Sequence, residues 1–176
     1  MADSRLPLRP LGDNDLDLVR QWRNHPEVLR YMYTQHEISA EEHHAWYERG
    51  LNDTNRHLLV YEPQGVPTGF VNFQITDTKA RRAEWGFYLA PDAPRESGRA
   101  LGHTALTYAF EHLRLHKICG EALDYNAKSI RFHERLGFTR EATLRDHHFD
   151  GDAYHDVIGF GLLVTDWLNR QGVANP

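Results

Sequence analysis

An extended, aromatic-rich run, Ala83-Glu84-Trp85-Gly86-Phe87-Tyr88-Leu89-Ala90-Pro91, leads into Arg95-Glu96-Ser97-Gly98-Arg99-Ala100-Leu101-Gly102, and the chain then reads as helix from Ala100 to about Arg114. A strand, a glycine-bearing loop and a helix N-terminus in that order make a cradle for an anion. First-turn backbone N–H groups have no helical partner, and the helix dipole adds partial positive charge. Gly98 lets a ligand approach the backbone, Ala100 intrudes little, and Arg95 and Arg99 bring donors suited to phosphate. The short pattern R-x-x-G-x-A also describes a plain turn. It is neither a G-x-x-x-x-G-K-[ST] nucleotide loop nor a G-x-G-x-x-G dinucleotide loop.

The rest of the chain fits one α/β domain over 1–176, with an ordered core of about 5–170 and a tail expected to fray after Arg170. Leu6 to Leu11 alternates as an edge strand. Asp13 caps a helix to about Trp22, with Leu16, Val19 and Trp22 on one face. Pro26 breaks the chain after Arg23-Asn24-His25. Ser39-Ala40-Glu41-Glu42 opens a second helix to about Leu51. Strands are expected over His57 to Glu62, Gly69 to Thr76 and Arg82 to Leu89, with turns at Pro63-Gln64-Gly65 and Asp77-Thr78-Lys79. In the helix from Ala100, the stripe Leu101, Ala105, Tyr108, Leu113 packs on a sheet. Further strands are expected at Ile118 to Asp124, Thr139 to Leu144 and Tyr154 to Leu162, the last two joined through Asp150-Gly151. A helix from about Ala127 ends at Gly137 in the left-handed conformation.

Charge excludes some functions. The formal net charge is −5, which argues against a general nucleic-acid binder. The cations cluster locally instead, at Arg95, Arg99, Lys128, Arg131 and Arg135. Cys119 is the single cysteine, so no internal disulfide forms, and a small buried strand residue is its plainest reading. No apolar run approaches the ~18–20 residues of a membrane span. Met1-Ala2-Asp3-Ser4-Arg5 lacks a signal-peptide core, so a cytoplasmic location is expected. His112 and His116 sit at a helix C-terminus, and His43-His44 and His147-His148 lack a third ligand. No metal is expected.

The second strand–helix junction continues Asn126-Ala127-Lys128-Ser129-Ile130-Arg131-Phe132-His133-Glu134-Arg135-Leu136-Gly137-Phe138. Strand, [QR]-x-x-G-x-[GA] loop, helix, strand, then N-x-x-[AS]-x-x-x-[YH]-x-x-x-G-F resembles the GCN5-related N-acetyltransferase (GNAT) family, with both motifs at the family's spacing. The resemblance implies a mixed, mostly antiparallel sheet of six to seven strands flanked by helices and splayed between the fourth and fifth. It also implies acetyl-CoA as co-substrate, its pyrophosphate on the amides of Arg95, Glu96, Ser97, Gly98, Arg99, Ala100 and Leu101. Leu89 or Ala90 would polarise the thioester carbonyl, and Asn126, Lys128, Ser129, Phe132 and His133 would complete the cofactor site.

Alternation places Glu84, Gly86 and Tyr88 on one face, and Asn72 and Gln74 share a face of the neighbouring run. That side faces either solvent or a polar cleft. Glu121 stands five residues before Asn126, where some family members carry the base; partial burial would suit it to that work, and a carboxylate paired with Arg or Lys is the other reading. His133 occupies the position at which many members have a proton-donating tyrosine. It would donate with a steeper pH dependence or only place the thioester, and Tyr88 is the alternative acid.

The acceptor segment reads W-R-N-x-P-E-V-x-x-Y-M, Trp22 to Met32, then E-E-H-x-x-W, Glu41 to Trp46. It resembles the sugar-nucleotide acetyltransferases of pseudaminic acid biosynthesis, which acetylate UDP-4-amino-4,6-dideoxy-N-acetyl-altrosamine. That resemblance implies a nucleotide-sugar substrate held by Trp22, Arg23, Arg30, Met32, His43 and Trp46, with Asn72, Gln74 and Glu84 in the cleft; for Trp22 and Trp46 taken singly, core packing is the plainer reading. Acetylation of ribosomal N-termini or of polyamines are rival activities, the latter because His147 to Leu162 resembles spermidine acetyltransferases. A non-catalytic acyl-CoA sensor is the rival from another class. Neither nucleic acid nor membrane is expected as a partner, and a homodimer is left open.

Overall fold

The computed structural model describes residues 6–172. Met1–Arg5, read for targeting, and the last residues of the tail expected to fray lie outside them. The elements are β1 (Leu8–Pro10), α1 (Leu16–Asn24), α2 (Pro26–Leu29), α3 (Ala40–Leu51), β2 (Arg56–Tyr61), β3 (Gly69–Asp77), β4 (Arg82–Leu89), α4 (Ser97–Thr107), β5 (Lys117–Leu123), α5 (Ala127–Leu136), β6 (Thr139–Phe149), β7 (Tyr154–Leu163) and α6 (Val164–Arg170). They form a seven-stranded mixed sheet in the order β1-β2-β3-β4-β5-β7-β6. β4 and β5 are parallel and the pairs β1–β2, β2–β3, β5–β7 and β6–β7 antiparallel. The β4–β5 ladder is confined to Arg82–Glu84 against Lys117–Cys119.

The described residues divide into two compact units, one up to Gln74 with Trp85–Tyr108, the other Ile75–Glu84 with the residues from Ala109 onward. In the first, one sheet face packs Phe70 and Ala90 with Val19 and Trp22 of α1 and Tyr47 of α3. The opposite face stacks Phe73 on Trp85 and on Tyr108, each at 6.3 Å between centroids. Leu101 and Ala105 of α4 are fully buried. Burying a side chain the size of Phe73 or Leu101 contributes about 1.5–3 kcal/mol. In the second unit Ile118, Val157 and Leu162 are fully buried, and Phe110 lies 6.0 Å from Trp167.

Local chemistry explains most boundaries. Ser39 caps α3, its Oγ accepting from Glu42 N at 3.1 Å. His25 is extended and Pro26 opens α2, so the break falls where proline predicts it. Gly137 has φ of 98°, and the amides of Gly137 and Phe138 donate to Glu134 and His133 at 3.1 and 3.0 Å, closing α5 as a Schellman motif. At the β6–β7 turn, Asp150 accepts from Asp152 and Ala153 at 2.8 Å and Gly151 takes φ of 107°.

Four boundaries differ from the sequence expectation. Asp13 does not cap the first helix: the Asp15 carboxylate reaches back to Gly12 N at 2.9 Å and also binds Arg9. α4 starts at Ser97, before Ala100, and ends at Thr107 in a π-turn, Tyr108–His112. β6 runs on past Leu144 to Phe149 across an irregularity, and its residues are almost all exposed, so no alternation marks it. α6 was not expected, because seven residues are too few for a clear helical period.

Candidate active site

The end of β4 and the start of α4 form the cradle. β3 and β4 approach closely at Gly69, where a Cβ would meet Leu101 Cδ1 at 2.5 Å and the Tyr88 carbonyl at 3.1 Å. Beyond the strands Ala90 N donates to Thr68 O at 2.9 Å. That amide is therefore taken, which leaves Leu89 of the two alternatives. Alternation turns the Leu89 amide away from β3, so Leu89 is the strand-end donor suited to a thioester carbonyl. The connection tightens through Ala93 N to Ala90 O at 3.0 Å and Ser97 N to Pro94 O at 2.9 Å.

Because α4 begins at Ser97, the residues read as loop are its first turn. Glu96, the residue before it, makes no side-chain cap. The amides of Gly98 and Arg99 reach no carbonyl four residues back. Gly98 lies outside the left-handed region, so its contribution is the missing side chain, not an unusual backbone. Ser97 is buried, whereas Arg95, Glu96, Arg99 and Ala100 are exposed. Open amides with two exposed guanidinium groups fit a pyrophosphate.

The other face of the same unit carries an aromatic row. His43 stacks on Trp46 at 4.9 Å, Trp46 meets Phe70 edge-on at 5.7 Å, and Phe70 tilts onto Tyr88 at 5.1 Å. Tyr88 therefore shares a face with Phe70 and, by alternation, with Asn72 and Gln74. Burial pushes the Tyr88 phenol up, opposed by the charge of Arg23. Arg23 Nη2 donates to Thr34 O at 3.0 Å, while its Nη1 is buried without a hydrogen-bond partner among the described residues. His43 Nε2 and Asn72 Oδ1 are likewise buried and unpartnered. Burial first, then Arg20 and Arg23, pull the His43 imidazole down and keep it neutral.

Other expected acceptor residues are engaged elsewhere. Trp22 is a core residue, 5% exposed. Arg30 is exposed, paired with Glu27 at 3.1 Å and lying over the Tyr31 ring. Gln74 accepts from Arg56 Nε at 2.6 Å and donates to Asp53 at 3.1 Å, so its amide belongs to a turn network. Met32 is half-buried and Glu84 exposed. Phe70 was missed, although the alternation that selects Asn72 and Gln74 includes it.

In the second unit Asn126 caps α5, its Oδ1 accepting from Ser129 N at 3.1 Å. Lys128 is exposed and Phe132 half-buried. Glu121 is exposed and lacks the partial burial that would favour a base. His133 is 2% exposed and stacks on Phe160 at 4.7 Å with an 8° interplanar angle. Its Nδ1 lies 2.9 Å from the Ser129 carbonyl and must donate to it. Burial pulls this imidazole down, the Ser129 bond only partly opposing it. A neutral ring whose one N–H is committed to its own helix has no proton to release, which weighs against the proton-donor expectation. No group of three or more His, Cys, Asp or Glu able to hold a metal occurs among the described residues, and no helix there is long and apolar enough to cross a membrane.

A seven-stranded mixed sheet with an uncapped, glycine-bearing helix start after its fourth strand defines an acyltransferase scaffold, and the comparisons agree. Residues 5–139 match the model of the acetyltransferase (GNAT) domain, and the chain belongs to that family. It is an acetyl-CoA-dependent N-acetyltransferase. The spermidine N(1)-acetyltransferase of Vibrio cholerae is 29% identical over 171 residues, covering 96% of this chain and 99% of the relative. Acetyltransferase PseH of Campylobacter jejuni is 27% identical over 146 residues, covering 82% of this chain and 86% of the relative. The crystal structure of the Vibrio cholerae spermidine N-acetyltransferase with CoA and spermine superposes with a TM-score of 0.83 at 27% identity, covering 95% of this chain and 100% of that one.

Proposed function

We propose that the chain acetylates the 4-amino group of a UDP-linked amino-dideoxy sugar, UDP-4-amino-4,6-dideoxy-N-acetyl-altrosamine. The observation that carries this reading is the buried, unpartnered Arg23 Nη1 beside Tyr88 on the aromatic face. A partly buried guanidinium with an open N–H attracts a diphosphate and repels a polyammonium chain, although the charge of Glu42 also acts on it. Trp46, half-buried and backed by the buried Phe70, offers a flat apolar surface to a uracil. The likeness to PseH is a second support.

Direct attack suffices for the chemistry. The neutral amine forms a C–N bond to the acetyl carbon as the C–S bond breaks, and the sulfur leaves with the electron pair. Leu89 N–H donates to the carbonyl oxygen as negative charge grows there. Tyr88 O–H donates to the leaving sulfur. The amine's proton passes to water.

Polyamine acetylation is the second reading, favoured by the near full-length likeness to the Vibrio cholerae relative. Asp13, Asp17, Glu41 and Glu48 also line a groove of about 540 Å³ on α1 and α3, and carboxylates are what polyammonium groups seek. Coenzyme A release in the presence of the UDP-amino sugar, spermidine or a ribosomal N-terminal peptide separates the readings. The UDP-amino sugar is expected to give the highest kcat/KM. Turnover of spermidine but not of the sugar would sink the choice. Tyr88→Phe is expected to lower kcat at least ~100-fold and His133→Phe by much less.

A further inference from the structure

We infer that Asn72 orients the acceptor amine: its side-chain oxygen takes a hydrogen bond from the amine N–H and so aims the nitrogen lone pair at the acetyl carbon. The inference rests on the reading that an amine is acetylated on this face, and it holds for any primary amine bound there.

Three observations converge on this residue. Asn72 Oδ1 is buried and has no hydrogen-bond partner among the described residues. Gln74, two positions along the same face, has both ends of its amide bound, to Arg56 and Asp53. The fold thus satisfies one amide of the pair and leaves the other, although buried polar atoms are normally paired. The second observation is space. A Cβ on Gly86 would meet nothing nearer than Asn72 Nδ2 at 3.9 Å. The glycine leaves room for a methyl-sized group beside Nδ2, at the donor end of the Asn72 amide. The third is what surrounds this space. Phe70, the neighbour of Asn72 on this face, contacts Tyr88 at 5.1 Å, so the open amide lies on the face that carries the proposed acid.

The other unpartnered groups do not substitute for it. Arg23 Nη1 is only a donor and cannot accept an N–H. His43 is separated from Tyr88 by the rings of Trp46 and Phe70 in the aromatic row. An amide oxygen suits the task because it binds the neutral amine without stabilising the unreactive ammonium as a carboxylate would. Asn72 does not take the proton. When the C–N bond forms and the C–S bond breaks, the nitrogen's proton passes to water, and the amide only holds the remaining N–H.

The test compares Asn72→Leu, of similar shape without an acceptor, with Asn72→Ala, which needs less space, and Asn72→Asp, which keeps an oxygen. Each is assayed with every amine that the parental protein acetylates, and acetyl-CoA affinity is measured by calorimetry. The Leu and Ala variants are expected to lose on the order of 10- to 100-fold in kcat/KM for the amine, with acetyl-CoA affinity retained. Asp is expected to recover at least ~10-fold relative to Leu at a pH where the amine is neutral. Parental kcat/KM in Leu or Ala, an equal loss of acetyl-CoA affinity, or no recovery with Asp would overturn the inference. A parental protein that turns over another amine but not the UDP-amino sugar removes the substrate reading and leaves this test intact.

Discussion

Two helices in this chain begin just after a strand, and they begin differently. α5 is closed at its N-terminus, because Asn126 puts its own oxygen on the Ser129 amide at 3.1 Å. α4 is open: Glu96 makes no side-chain cap, and the second residue of the helix is a glycine. A capped end has spent its amides on the chain itself and serves stability. An uncapped end leaves them open to an anion, at a cost in helix stability. The two N-terminal turns look alike as strand–turn–helix, but only α4 begins without a side-chain cap.

The contrast can be broken most strongly at Gly98. Gly98→Glu places a carboxylate among the open amides and is expected to weaken CoA binding by on the order of 100-fold, read by calorimetry. The same carboxylate complements the helix dipole, so the melting temperature should hold or rise slightly. A variant that binds CoA normally would show that the cradle lies elsewhere. At the capped end the signs reverse. Asn126→Ala should cost about 1 kcal/mol of stability by denaturant unfolding while changing CoA affinity less than about tenfold. A large affinity loss with unchanged stability would make Asn126 a ligand contact above all.

The smallest effect concerns His133, further along α5. Its folded pKa lies below the ordinary value of about 6.5, because burial disfavours the imidazolium. Its contribution is therefore full above about pH 6.5 and declines as the pH falls from there toward the folded value. Unfolding of the parental protein and of His133→Phe between pH 7.5 and about 5 should show a shallower loss in the variant. Parallel curves would mean that the ring titrates normally.

Much of this was legible because it depends on neighbours in sequence. Ser39 caps α3, Pro26 ends the first helix, and Gly137 closes α5 through contacts spanning a few residues. β4 falls on Arg82–Leu89 as expected because its alternation is strong. Gly98 with its flanking arginines likewise marked an anion cradle through local pattern, and acetyl-CoA followed from the family resemblance of the two motifs. Where the backbone is exposed, as in β6, or the element short, as in α6, the pattern carried too little hydrophobic contrast.

What the chain alone determined was which residues are candidates for chemistry; which of them keep a donor or acceptor open was decided by packing. Ala90 and Leu89 are adjacent, yet the Thr68 carbonyl claims one amide. Asn72 and Gln74 alternate identically, yet Arg56 and Asp53 occupy only Gln74. His133 keeps a motif position, yet Phe160 and the Ser129 carbonyl enclose its ring. Hydrogen bonds and burial join residues distant in sequence, so the availability of a donor or acceptor is a property of the folded neighbourhood.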